Sequence, residues 1–315
     1  MRPEIREFSI PGYQLTRFLG AGAFAEVWQA KHKDQLVALK FLDCRAHSPS
    51  VIATEIRILR GLTELKHPNI ISLLGVQAIG KYVVLIMEYA DGSLADLQQV
   101  YRQETGGNIP PEHALDLLDE AAAALDFLGS ARINSFSTNA GLQHCDIKPS
   151  NLLLVGNRLK IGDFGLCCRA GSTTHRSGAW RGTPPYAAPE LFRGQPTLGT
   201  DQYALAVCFC EMVMGDRPFR KTPSTDSQVG YECPIDLTKL REREFPIISR
   251  ALHPYASSRW PSCRLFLQEL RKAVCSQRIG NRSRIYPFGA KGSLRKSGST
   301  RAVKTVDNNR KTSSR

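Results

Sequence analysis

Apolar positions in this chain fall mostly at strand spacing in its first third and at helical spacing afterwards. Leu15, Phe18 and Leu19 lead into a small-residue run, Gly20-Ala21-Gly22-Ala23-Phe24-Ala25. Val27-Trp28 and Leu36-Val37-Ala38-Leu39-Lys40-Phe41 follow, separated by polar Lys31 to Gln35. β-rich runs with such breaks predict three antiparallel strands, with a glycine-rich turn between the first two. Ser48-Pro49 reads as an N-cap and first helical residue, opening a helix through Ile52, Glu55, Ile56 and Leu59. His67-Pro68-Asn69-Ile70 breaks that helix, and Ile71-Ser72-Leu73-Leu74 begins another strand. Tyr82 to Ala90 reads as a buried strand entering a connector, closed by the turn signal Asp91-Gly92-Ser93.

Leu94 to about Arg102 turns helical, Gly106-Gly107-Asn108 ends the helix, and Pro110-Pro111 starts the next. Ala114, Leu117, Leu118, Ala121, Leu125 and Leu128 then recur at helical spacing, which predicts a long, mostly buried helix. The fifteen residues from Gly129 to Gln143 are rich in Ser, Asn and Gly and predict a surface loop on the far side from the helix. Loops of that length are uncommon and are either functional or disordered. Beyond Ser276 the apolar period ends and Lys, Arg, Ser, Gly and Asn dominate, the composition of a disordered basic tail.

Chemistry concentrates in His144-Cys145-Asp146-Ile147-Lys148-Pro149-Ser150-Asn151 and in Asp163-Phe164-Gly165, twelve residues beyond Asn151. Phosphoryl transfer to a hydroxyl needs such a set: a carboxylate to orient the hydroxyl and take its proton, cations for the moving phosphoryl, and oxygens for a metal. The glycine-rich run can bring backbone amides close to phosphate oxygens, and Lys40 needs a carboxylate to hold its ammonium. Glu55 is the candidate, with Glu64, beyond Gly61 near the helix end, as its competitor.

The two polar motifs resemble the H-R-D-x-K-x-x-N catalytic loop and D-F-G turn of the protein kinases, and the first stretch is similar to their G-x-G-x-x-G-x-V and V-A-I-K signatures. The resemblance runs from about Tyr13 to Val274, and the third glycine is replaced by Ala25. It implies an α+β, two-lobed fold of the bacterial-type serine/threonine kinases, with a lobe at 13–87, a hinge at 88–92, a larger lobe at 93–275, and flanking segments 1–12 and 276–315. The implied cofactors are ATP and Mg2+ (or Mn2+). By the same resemblance Asp146 is the base, Lys148 screens charge on the transferred phosphate, and Asn151 and Asp163 are metal ligands. Lys40, paired with Glu55 over a buried Leu59, holds the phosphates. Leu19, Gly20, Gly22, Val27, Ala38 and Leu153 surround the nucleotide, with Met87 as gatekeeper and the Glu88 carbonyl and Ala90 amide facing the base.

Asp163 to Glu190 matches the activation segment, with Ser172, Thr173, Thr174 and Ser177 as candidate phosphate acceptors. Its end, Gly182-Thr183-Pro184-Pro185-Tyr186-Ala187-Ala188-Pro189-Glu190, is similar to G-T-x-x-Y-x-A-P-E. Thr183 beside Lys148 points to Ser and Thr acceptors in protein substrates. Arg259 is the implied partner of Glu190. Asp201 matches the aspartate that holds the catalytic loop's backbone, a role compatible with N-capping its helix. Cys145 stands where most kinases have an arginine that pairs with an activation-loop phosphate, so the enzyme is expected to be active as synthesised or controlled by another route.

Composition alters this picture little. An apolar content of 42% suffices for a packed core. No apolar run approaches the length of about eighteen needed for a membrane span. Residues Met1 to Phe8 do not read as a secretory signal, and a reducing cytoplasm suits nine cysteines without metal spacing. Cys208 and Cys210 read as core, and the adjacent Cys167 and Cys168 as a redox handle or as nothing. Of the net charge of +13, residues 276–315 carry +10, leaving +3 for the rest. That tail suits a solvated linker, an autophosphorylation target, or a weak contact with nucleic acid or an anionic membrane. The competing classes are a pseudokinase scaffold, a basic-tail nucleic-acid binder on a kinase carrier, and a small-molecule kinase.

Overall fold

The computed structural model describes residues 10–21, 25–45, 49–130, 141–172, 182–219 and 235–275. Its first layer is a five-stranded antiparallel sheet made of β1 (Gln14–Ala21), β2 (Ala25–His32), β3 (Gln35–Asp43), β4 (Leu73–Ile79) and β5 (Tyr82–Glu88), in the order β1-β2-β3-β5-β4. Alternation along the strands gives the sheet two apolar faces. Trp28, Val37, Leu39, Phe41, Tyr82, Val84 and Ile86 form one cluster, and Ile10, from the segment preceding the first strand, is buried with them. Leu42, Leu85 and Leu73 belong to the main core on the other side. Helix α1 (Pro49–Leu65) starts at the predicted proline and continues past Gly61.

The chain then crosses to the second lobe through residues 89–91 into the short strand β6 (Gly92–Ser93). Ser93 caps α2 (Leu94–Thr105), accepting from the Asp96 amide while the Asp96 carboxylate accepts from the Ser93 amide, a reciprocal arrangement that fixes the helix start. The helix ends at Thr105, three residues beyond the predicted Arg102, and Gly106 closes it at φ 66°. Helix α3 (Pro111–Ser130) buries all six residues predicted from its period.

The predicted loop 129–143 is corrected at both ends. Gly129 and Ser130 finish α3, and Leu142–Gln143 form a buried strand, β7, paired with β10 (Cys168–Arg169). Residues 131–140 lie outside the described residues. Between β7 and β10 come β8 (Leu152–Val155) and β9 (Arg158–Ile161), which complete a three-stranded sheet with β6. Helices α4 (Pro189–Phe192), α5 (Thr200–Met214), α6 (Phe245–Ala251) and α7 (Cys263–Cys275) follow. Apolar on nearly every side, α5 buries Cys208 and Cys210 as core residues. Asp126 on α3 accepts from the Cys263 and Arg264 amides at 2.8 and 3.0 Å, a carboxylate meeting the positive start of α7. No helix among the described residues is long and apolar enough to cross a membrane.

Candidate active site

Residues 144–151 form a loop whose shape is imposed from elsewhere in the chain. Asp201, in the first turn of α5 and almost fully buried, accepts the His144 amide at 2.6 Å and the Cys145 amide at 2.9 Å. Burial pushes its carboxyl above the usual range, while the nearby His144 and the two amides pull the other way. The alternative role as helix cap is corrected, because Gly199 occupies the cap position without a side-chain bond. Both oxygens of Asp201 serve the loop. Cys145 consequently adopts φ 65°, a left-handed conformation that non-glycine residues hold only where the surroundings over-determine it. His144 accepts the Asp146 amide at Nδ1 (3.3 Å), so Nε2 carries the proton donated to the Gly162 carbonyl at 2.9 Å.

Four donors converge on Asp146. Lys148 Nζ reaches Oδ2 at 2.8 Å and Asn151 Nδ2 reaches the same oxygen at 3.0 Å. The Thr183 amide and hydroxyl reach Oδ1 at 3.2 and 2.7 Å. Lys148 also donates to Thr183 Oγ1 at 2.7 Å, closing a triangle between the loop and the end of the activation segment. Asn151 donates to the Asp146 carbonyl as well, at 2.8 Å, which assigns nitrogen to that side and turns the amide oxygen away.

Across the cleft, Lys40 Nζ meets Asp163 Oδ1 at 2.9 Å. The Lys40 ammonium is the main reason the Asp163 carboxyl drops to about 2, although 47% of that side chain is exposed. Asp163 itself sits at φ 63°. Residues Val27, Ala38, Lys40 and Met87 share one sheet face, since their neighbours Trp28, Leu39 and Ile86 fill the opposite cluster. Leu19, Gly20 and Leu153 are half-buried, as are Met87 and Glu88 at the end of β5 and Ala90 in the connector. Gly22 lies outside the described residues, and so does the side chain of Glu55 on α1; among the described residues Asp163 places a carboxylate on Lys40.

Glu190 and Arg259 form a two-pronged pair at 2.7 and 2.8 Å, with the arginine side chain fully buried. Of the candidate phosphate acceptors, Ser172 donates to the Arg169 carbonyl at 2.7 Å, whereas Thr173, Thr174 and Ser177 lie outside the described residues. One contact was missed by the sequence reading. Lys160 on β9 donates to both oxygens of Glu88, at 2.7 and 2.8 Å, and Glu88 Oε1 also accepts the Ser72 amide at 2.7 Å. The only sequence signal was a charged residue in the short alternating strand Arg158-Leu159-Lys160-Ile161.

Two lobes, a carboxylate-centred loop and a lysine–aspartate pair between them make up a two-lobed kinase fold. The chain belongs to the protein kinase family, whose protein kinase domain matches residues 13–285. Serine/threonine-protein kinase 36 of Pongo abelii is 31% identical over 217 residues, which is 67% of this chain and 15% of that protein. Serine/threonine-protein kinase drp72 of Corynebacterium efficiens is 29% identical over 296 residues, 89% of this chain and 54% of that protein. The chain therefore spans only part of these curated relatives. Among solved structures, a point mutant of the Mycobacterium tuberculosis PknI kinase domain aligns with a TM-score of 0.62 at 25% identity, covering 85% of this chain and 98% of that one.

Proposed function

We propose that this protein is a serine/threonine protein kinase, transferring the γ-phosphoryl group of ATP to Ser or Thr hydroxyls of proteins, itself included. The observation that carries the reading is the Asp146 carboxylate, whose Oδ1 already accepts a hydroxyl, that of Thr183, at 2.7 Å. That is the distance a general base needs from an acceptor hydroxyl. Its four contacts fix the plane of the carboxylate and take up the roughly four lone-pair sites it offers, so a substrate hydroxyl takes the place now held by that of Thr183. Lys148 lies between Asp146 and the acceptor side, where its ammonium meets charge that develops during transfer.

Val27, Ala38 and Met87, with Leu19 and Leu153, supply apolar surface for a purine, and the backbone of Glu88 and Ala90 supplies its polar edge. Gly20 lets the backbone approach the phosphates, and Lys40 brings a cation to them. Asp163 and the Asn151 amide oxygen are hard oxygen donors. They fit magnesium, which takes one or two such ligands together with substrate phosphates; bound with ATP it neutralises phosphate charge. In this reading the unit extends from about residue 13 to 275, with 88–92 as hinge and Thr183, Glu190, Asp201 and Arg259 as its scaffold.

Intact mass after incubation with ATP and magnesium tests the reading. The wild type gains mass in steps of one phosphate, while Asp146→Ala and Asp163→Asn do not. Nucleotide binding without transfer, either to itself or to a generic basic protein, overturns it in favour of a scaffold.

A further inference from the structure

The position before Asp146 holds a thiol inside a small apolar cluster. Cys145 is buried with Ala187 and Leu191, and Leu166, Cys168 and Phe192 pack against them. This cluster joins the catalytic loop to both the beginning and the end of the activation segment. Within it Cys145 Sγ lies 3.1 Å from Cys168 Sγ, nearer than the roughly 3.5–4 Å of ordinary carbon contacts. The approach is built by the backbone: Cys168 on β10 pairs with Gln143 on β7, two residues before Cys145. Cys167 turns instead into the main core.

We infer that Cys145 and Cys168 are a disulfide-forming pair that staples the catalytic loop to the start of the activation segment under oxidising conditions. A disulfide requires sulfurs at about 2.05 Å, roughly 1 Å closer than they stand. The half-buried Cys168 meets the oxidant first. A hydroperoxide oxidises its thiol to the sulfenic acid and is itself reduced to an alcohol, or to water in the case of hydrogen peroxide. Cys145 sulfur then attacks the Cys168 sulfur, the S–S bond forms, the S–OH bond breaks, and the hydroxyl leaves with the Cys145 proton as water. Its hydrogen bond with Cys168, reinforced by burial, holds the Cys145 thiol protonated well above the ordinary range, so it is a poor first target; it serves the second step by position alone, giving up its proton as the S–S bond forms. Once Cys168 is oxidised, contact distance replaces an encounter between free reactants.

The bond itself does not rest on the kinase reading; its consequence does. In kinases with an arginine at this position, a phosphate ties the segment to the loop. Here a covalent link does so at the same place, leaving the Asp163-Phe164-Gly165 turn between its two ends.

The test is peptide mapping of the full-length protein under non-reducing conditions after hydrogen peroxide, with dithiothreitol reversal. The expected result is loss of two hydrogens from the intact mass and a Cys145–Cys168 cross-linked peptide as the dominant intramolecular product. Cys167→Ser leaves that product in place and Cys168→Ser removes it. Mapping reads the bond without any phosphotransfer assay, so failure of the kinase reading leaves it standing. Oxidation confined to the exposed Cys44, a Cys167–Cys168 product, or irreversible oxidation of Cys168 without cross-linking each overturns the inference.

Discussion

Replacing Arg259 with methionine removes the cation from Glu190 while keeping most of the apolar stem. In the native structure the guanidinium makes two bonds to Glu190 and donates to the carbonyls of His253 at 2.8 Å and Gly199 at 2.9 Å. It also lies 5.0 Å over the Tyr203 ring. Glu190 is 6% exposed, and in the variant its strong remaining donor is the Thr200 hydroxyl at 2.9 Å. Leaving one member of a buried pair unpartnered costs about 3–5 kcal/mol. The lost carbonyl contacts add to this, and the surviving Thr200 bond subtracts, so the same range holds for the variant. Urea unfolding should show a lower midpoint at unchanged slope, which reports stability rather than compactness. Combining it with Glu190→Leu should recover much of the loss, because an apolar pair of similar volume is often no worse than the ion pair. A single variant that loses less than about 1 kcal/mol refutes the assignment of this pair as a buried clamp, as does a double variant whose losses simply add.

Three further outcomes follow from the site and its surroundings. Asp163 has a folded-state pKa near 2, below its ordinary 3.8, so its contribution is complete above about pH 4 and fades as pH falls towards 2; the stability gap between wild type and Asp163→Asn, followed by acid titration, should be flat from neutral to weakly acidic pH and close only below about 4. In Gly141→Ala the new Cβ would lie 1.8 Å from the Gly129 carbonyl oxygen, forcing backbone apart where the 131–140 segment leaves and returns. A loss of about 1–3 kcal/mol or more should appear as a lower Tm, and an unchanged Tm would contradict the close approach. Lys160→Met takes the cation from Glu88, leaving the carboxylate with the Ser72 amide at 2.7 Å. A loss of about 1–2 kcal/mol by denaturant unfolding should accompany a higher KM for ATP with a smaller change in kcat, and an unaltered KM separates this contact from the nucleotide site.

Local rules made much of this molecule readable. The six α3 positions are buried because helical spacing alone puts them on one face, and the Pro49 and Gly106 boundaries follow from backbone chemistry at single residues. Asp146, Lys148 and Asn151 lie within six residues, so their convergence needs only a short loop. Partners supplied by distant elements were less legible. Arg259 could be paired with Glu190 only through the family pattern, and nothing local announced that Lys160 would reach Glu88 across 72 residues. The 129–143 run looked like one polar loop because Ser, Asn and Gly give the same signal in a turn and in a close backbone approach. What separates them is the packing of Gly141 against Gly129, which composition does not carry. Cys145 read as the loss of a charge, and its contact with Cys168 depends on strand pairing between two-residue elements too short for any period to reveal.

The Asp201 anchor bears on how this chain tolerates change. Because a carboxylate on α5 dictates the left-handed bend at Cys145, the catalytic loop does not inherit its shape from the residues that lead into it. Downstream sequence holds the template, and upstream sequence only has to deliver His144 to the right spot. A single substitution at Asp201, far away in sequence, therefore removes both anchors of the loop at once.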